Sequence, residues 1–110
     1  MDENVVYSAE DIEENKVIAL LSYLGILVLV PLLAKKESPY AQFHAKQGLV
    51  LLIAWIAIGI ITVIPIIGWI IGPIASIVLL IFSIIGIINA LGGQTKELPL
   101  IGQFGEKLNL

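Results

Sequence analysis

Residues 48–93 read GLVLLIAWIAIGIITVIPIIGWIIGPIASIVLLIFSIIGIINALGG, 46 residues without a single Asp, Glu, Lys or Arg. One helix of that length would run about 69 Å, more than twice the roughly 30 Å hydrocarbon core of a bilayer. Two crossings joined by a short turn fit instead. The turn is expected between Pro65 and Pro73, with Gly68 and Gly72 between them, because proline removes a backbone donor and glycine weakens a helix.

Upstream, Lys16 and Lys35 enclose a second uncharged run, Val17 to Ala34. As a helix it would cover about 27 Å, enough for one crossing. Over the whole chain of 110 residues, 58% are hydrophobic and 14% charged, against about a quarter charged in soluble domains. The expected fold class is therefore all-α, an integral membrane bundle of three transmembrane helices. An acidic tail, 1–16, precedes a transmembrane domain, 17–93, with spans at about 17–34, 45–64 and 73–92, and a short interfacial tail, 94–110, follows.

Local signals mark the helix ends. Ser8 followed by Asp11 resembles a capping box and starts a helix near Ala9, while Ser38 and Pro39 supply an N-cap and a first-turn proline. Asn89-Ala-Leu-Gly-Gly is a helix stop, since Gly92 or Gly93 can adopt the left-handed conformation. Pro31 is read as a proline tolerated near a helix end. Asp2, Glu3, Glu10, Asp11, Glu13 and Glu14 stand where a cleaved signal peptide would carry basic residues, so the first span is expected to remain as an anchor. Lys35, Lys36, Lys46, Lys96 and Lys107 fall on one side of a three-span chain, which predicts a multi-pass protein of the cytoplasmic membrane with the N-terminus outside and the C-terminus cytoplasmic.

Few residues carry chemistry. No cysteine occurs, His44 is the lone histidine, and no ionisable residue lies within the apolar spans. These features give no catalytic residues, no metal site and no cofactor, and they count against ion-coupled transport. A net charge of -3 with few basic residues offers nucleic acid no surface. Tyr40, His44 and Gln47 share a helix face and are read as a polar belt at headgroup level, with Trp69 at the opposite interface. On that reading, glutamine at position 44 would leave folding unchanged.

The spans carry stripes of small residues. Gly72, Ser76, Ser83, Gly86 and Ala90 on the third, and Gly48, Gly59 and Thr62 on the second, recur at spacings that keep them on one face. Small residues let helix backbones approach closely in lipid, which suits either packing of the second helix on the third or a subunit interface.

The stretch Ala34-Lys-Lys-Glu-Ser-Pro-Tyr-Ala-Gln-Phe-His-Ala-Lys-Gln-Gly-Leu, with Asn89-Ala-Leu-Gly-Gly and Leu98-Pro-Leu-Ile-Gly, resembles the Tic20-like family. That family includes a plastid inner-envelope import component and bacterial proteins of the magnetosome MamF type. The resemblance covers roughly Asn15 to Phe104, and its signature falls on Ser38, Pro39, Tyr40, Phe43, His44 and Gln47. It implies a non-enzymatic membrane module that assists translocation, targeting or assembly of other membrane proteins. The expected partners are the lipid bilayer, other membrane proteins and further copies of the chain. The alternative is a small oligomeric channel or transporter subunit, lined by Ser22, Thr62, Ser76, Ser83 and Asn89.

Overall fold

A computed structural model describes residues 7–108, which are helical apart from short connections and contain no strand. Helix α1 is Ala9–Leu20, α2 is Leu29–Ala34, α3 is Pro39–Thr62 and α4 is Ile67–Leu91. Three short 3-10 turns, Leu21–Tyr23, Gly25–Val28 and Gly102–Phe104, complete the set.

Helices α3 and α4 form the expected antiparallel hairpin, and both are long and apolar enough to cross a membrane. A core helix of a soluble protein would hide its apolar side chains. Here only 28% and 22% of the most apolar windows of α3 and α4 are buried, and Ile53, Ile56, Ile60, Ile70, Ile74 and Ile77 all face outward. That surface suits hydrocarbon, not water.

The turn of the hairpin is shorter than expected. Helix α4 begins at Ile67, six residues before the predicted span, and Pro73 lies inside its second turn. The turn consists of Val63–Ile66, with Ile66 at a positive φ of 67°. The donor that Pro73 lacks leaves one carbonyl of the first turn unpaired, which a helix supported by a neighbour tolerates. Gly72 provides that support, because its bare Cα sits directly under the Thr62 side chain.

The first apolar run departs most from expectation. Val17 to Ala34 is no continuous helix: α1 gives way to a 3-10 turn, the chain bends at Leu24 and Gly25, and a second 3-10 turn leads into α2. Gly25 has a φ of 66°, a conformation that costs other residues free energy and that breaks an α-helix. The chain then folds back. Asp11 near the start of α1 bonds to Ser38 and Tyr40, and Gln42 reaches the carbonyls of Pro31 and Lys35. Both ends of the run thus lie beside the start of α3, and Pro31 sits there too, its carbonyl bonded by Gln42.

The apex of the fold-back reaches the middle of the hairpin. Ser22 lies against Gly48, Tyr23 against Gly86, and Leu24 and Gly25 share a cavity wall with Leu52 and Trp55. From Pro39 to Leu52 is about 20 Å along α3, roughly half its length. The structure therefore has two membrane-crossing candidates, and the first apolar run folds back beside them instead of forming a third long helix. Residues 7–12 lie at the same end of the molecule as the 35–39 connection and the chain after α4, whereas the three-span expectation puts the two tails on opposite sides of the membrane. The first six residues of the N-terminal tail lie outside the described residues.

The predicted caps are present. Ser8 accepts the Asp11 N–H at 3.0 Å and Ser38 the Ala41 N–H at 3.1 Å. Gly93, at φ 73°, ends α4, and the Gln94 N–H returns to the Asn89 carbonyl at 2.9 Å, closing the helix terminus.

Candidate functional site

The first turns of α3 carry a row of polar side chains at spacings of four and three, which places Tyr40, His44 and Gln47 on one face. All three are buried, as are Ser38 and Phe43, so they are not a belt among headgroups. They face the rest of the chain because fold-back segment, α4 and tail all converge there.

Each makes a long-range contact. The Tyr40 hydroxyl donates to the Ala90 carbonyl at 2.5 Å, tying α3 to the last turn of α4. The His44 Nε2 lies 2.8 Å from the Gln94 carbonyl and its Nδ1 lies 2.5 Å from the Tyr23 hydroxyl. A carbonyl only accepts, so Nε2 holds the ring proton and Nδ1 accepts from Tyr23. Gln47 accepts the Leu98 N–H at 2.9 Å through Oε1 and donates to the Gly102 carbonyl at 2.8 Å through Nε2. One helix face thereby holds the fold-back segment, the end of α4 and the C-terminal tail. The rings of Tyr23, Tyr40 and Phe43 meet His44 edge-on, with centroids 5.6, 4.9 and 5.1 Å away.

A second cluster joins α1 to α3. The Asp11 carboxylate accepts from the Ser38 hydroxyl at 2.6 Å, the Tyr40 N–H at 3.0 Å and the Asn15 amide at 2.9 Å. A carboxylate at a helix N-terminus satisfies free donors and complements the helix dipole. Asp11 thus caps α3 from outside while Ser38 caps it from within. Pro39 stays exposed at the first helical position.

Two of the small residues serve a different partner from the one expected. A side chain at Gly48 would run into the Ser22 backbone carbonyl, and one at Gly86 into the Tyr23 ring. Both glycines therefore admit the fold-back segment, not the other hairpin helix. Gly72 and Thr62 do bring α3 against α4, and Ala90 is buried beside Tyr40. Gly59 faces open space with nothing within 4 Å, and Ser76 is half-buried. Ser83 lines a cavity of about 410 Å³ with Tyr23, Leu52, Trp55, Leu80 and Ile84. Ser22, Ser83 and Asn89 are buried inside one chain and the Thr62 hydroxyl bonds its own Ile58 carbonyl at 2.7 Å, so the polar side chains of a pore lie on no common exposed face.

Sequence reasoning missed Tyr23, Gln42 and Gln94, and it read Asp11 only as part of the cap at Ser8, not as a partner of Ser38 and Tyr40. Tyr23 had a signal, a hydroxyl-bearing ring beside Ser22 and Gly25 in an otherwise apolar run. The spacing from Ser8 marked Asp11 as part of a local cap, but nothing in the tail announced its bonds to Ser38 and Tyr40. Chemically the arrangement is a set of long-range hydrogen bonds that tie distant segments of the chain together.

A family model described as "Magnetosome magnetite crystal formation protein family" matches residues 14–105. The chain is 43% identical over 86 residues to magnetosome protein MamF of Paramagnetospirillum magneticum, covering 76% of each chain. It is 36% identical over 94 residues to magnetosome protein MmsF of the same organism, covering 84% of this chain and 86% of the relative. A UPF0132 membrane protein of Archaeoglobus fulgidus is 32% identical over 100 residues, covering 86% of this chain and 94% of the relative. No solved structure matches the chain significantly.

Proposed function

Because the chain belongs to the magnetosome magnetite crystal formation protein family, a family of small membrane proteins, we propose that it is a non-enzymatic membrane module that docks other membrane proteins and assists their assembly or targeting. The magnetosome relatives bear names tied to one compartment, whereas the archaeal relatives are named only as membrane proteins. A scaffold role in the bilayer is compatible with both sets of names.

One observation carries the reading. Ile70, Ile74, Ile77, Ile81, Ile84 and Ile88 are all at least 50% exposed along α4. They alternate at spacings of four and three, the rhythm that keeps a seam facing a partner helix. The buried polar row of α3 is occupied by the chain's own segments, whereas this seam stays open along α4 for a neighbour. Translocation, as the Tic20-like resemblance implies, would be one use of such docking.

A photo-crosslinking side chain placed at Ile77 or Ile81 in native membranes should capture discrete protein partners, and one placed at Ile60 on α3 should not. Crosslinks to lipid alone from all three positions would refute the docking role. Crosslinks only to further copies of the chain would restrict the role to self-assembly.

The same fold supports a reading of the orientation. Lys16, Lys35, Lys36, Lys46, Lys96 and Lys107 are all the lysines of the chain, and each belongs to the end where the tails meet. The positive-inside rule then favours that end, both tails included, as cytoplasmic, with Val63–Ile66 outside. The chain has no native cysteine, so single cysteines report cleanly. Glu10→Cys, Lys36→Cys and Lys96→Cys should be labelled from the cytoplasmic face and Val63→Cys from outside. Labelling of Glu10→Cys together with Val63→Cys would restore a three-span chain.

A further inference from the structure

The cross-section of the molecule changes along its long axis of 49 Å. In the half near the tails, four helical rods lie side by side: α1 with its 3-10 turn, the 3-10 turn leading into α2, the first half of α3 and the second half of α4. In the other half, two rods remain among the described residues, the end of α3 and the start of α4. The boundary is sharp, because the fold-back turns at Leu24 and Gly25 beside Leu52 and Trp55. Ser22 and Tyr23 are held at that depth by close backbone contact at Gly48 and by the bond to His44.

A rod of about 10 Å diameter displaces the same lipid area wherever it stands, so the tail-side leaflet loses roughly twice the area of the other. We propose that the chain is a wedge for curved membranes, partitioning into bilayers whose convex leaflet is the one on the side of its tails. The partner is the bent lipid bilayer itself. The inference concerns shape and holds whichever compartment the tails face, and it does not depend on the isoleucine seam.

The size of the mismatch sets the trend. On a tube of about 150 Å radius, the mid-depths of the two hydrocarbon leaflets differ in area by only about a tenth. The wedge is steeper than that, so preference should keep rising to the narrowest tubes instead of peaking at an intermediate radius. The two opposite orientations should respond with opposite sign.

The test uses the full-length chain in giant vesicles of phosphatidylcholine and phosphatidylglycerol from which tubes are pulled. With Lys36→Cys, an impermeant dye added outside marks only molecules whose tails face outward; with Val63→Cys it marks only those whose tails face inward. Tail-outward molecules should be enriched on narrow tubes relative to a lipid dye, by roughly twofold or more, as membrane-shape sensors are. Tail-inward molecules should be depleted. Equal tube density for both populations, or enrichment of both, would overturn the wedge. Labelling Glu10→Cys on the same vesicles separates causes: if it reports with Val63→Cys, the segment crosses the bilayer and the wedge is lost with the fold-back, whereas if it reports with Lys36→Cys, flat sorting rejects the wedge alone.

Discussion

Replacing Gly48 with leucine is expected to destabilise the protein by about 3 kcal/mol, the upper end of what overpacking usually costs. The reason is the nature of the neighbour. A Cβ at Gly48 would meet the carbonyl oxygen and carbon of Ser22, which are backbone atoms that cannot rotate away. Even Gly48→Ala should therefore be costly. Gly86→Leu should be damaging as well, since its side chain would enter the space of the Tyr23 ring, which the bond to His44 holds in place. Gly59→Leu is the matched control. Gly59 belongs to the same helix and the same stripe in the sequence, yet it opens to lipid, and leucine there should change stability by less than about 0.5 kcal/mol. Thermal unfolding of the detergent-solubilised variants, followed by circular dichroism, checks the contrast. Equal destabilisation at Gly48 and Gly59 would mean that the stripe packs on another helix and that the fold-back is wrongly placed.

The same contrast explains what could be read from the sequence. The α3–α4 hairpin was legible because 46 uncharged residues admit few other arrangements and because Asn89 to Gly93 carries its own stop signal. The caps at Ser8 and Ser38 were legible because they depend on neighbours within three residues. The first apolar run was not. Its 18 residues suffice for a crossing only if every residue is helical, and the φ of Gly25 removes that condition. A glycine inside an apolar helix is common, so its presence could not announce a reversal. The reversal is instead imposed at a distance, by Asp11 on Ser38 and Tyr40 and by Gln42 on Pro31 and Lys35.

The polar row on α3 illustrates a related ambiguity. The four-and-three spacing of Tyr40, His44 and Gln47 fixed that they share a face, but spacing alone does not say whether that face meets headgroups or protein. The answer lies in Tyr23, Gln94, Leu98 and Gly102, which are 21 to 55 residues away in sequence. Small residues posed the same problem. Gly48 and Gly59 sit on one stripe, and only the position of Ser22 separates the packed glycine from the exposed one.

His44 offers the second large effect. Its ring joins the fold-back segment to the tail through Tyr23 and Gln94, and it is fully buried, so its loss exposes two partners at once. His44→Ala would leave a buried hydroxyl and a carbonyl without their bonds, each costing about 1–3 kcal/mol, in addition to the packing lost around three edge-on rings. A total of about 3–5 kcal/mol is expected, comparable with other large-to-small core changes. His44→Gln, which the sequence alone suggested would be harmless, can restore at most part of this geometry and should fall between the two. Tyr23→Phe removes only the hydroxyl and should cost about 1 kcal/mol. Combining Tyr23→Phe with His44→Ala should cost less than the sum of the single changes, because the second substitution breaks a bond already absent. The topological readout distinguishes a tether from a simple core residue. In His44→Ala, a cysteine at Leu24 should become more reactive toward a lipid-soluble maleimide as the fold-back loosens, and a cysteine at Gln103 more reactive toward a water-soluble one as the tail detaches. Unfolding temperature and both reactivities unchanged from the parent chain would show that His44 is not the tie between these segments.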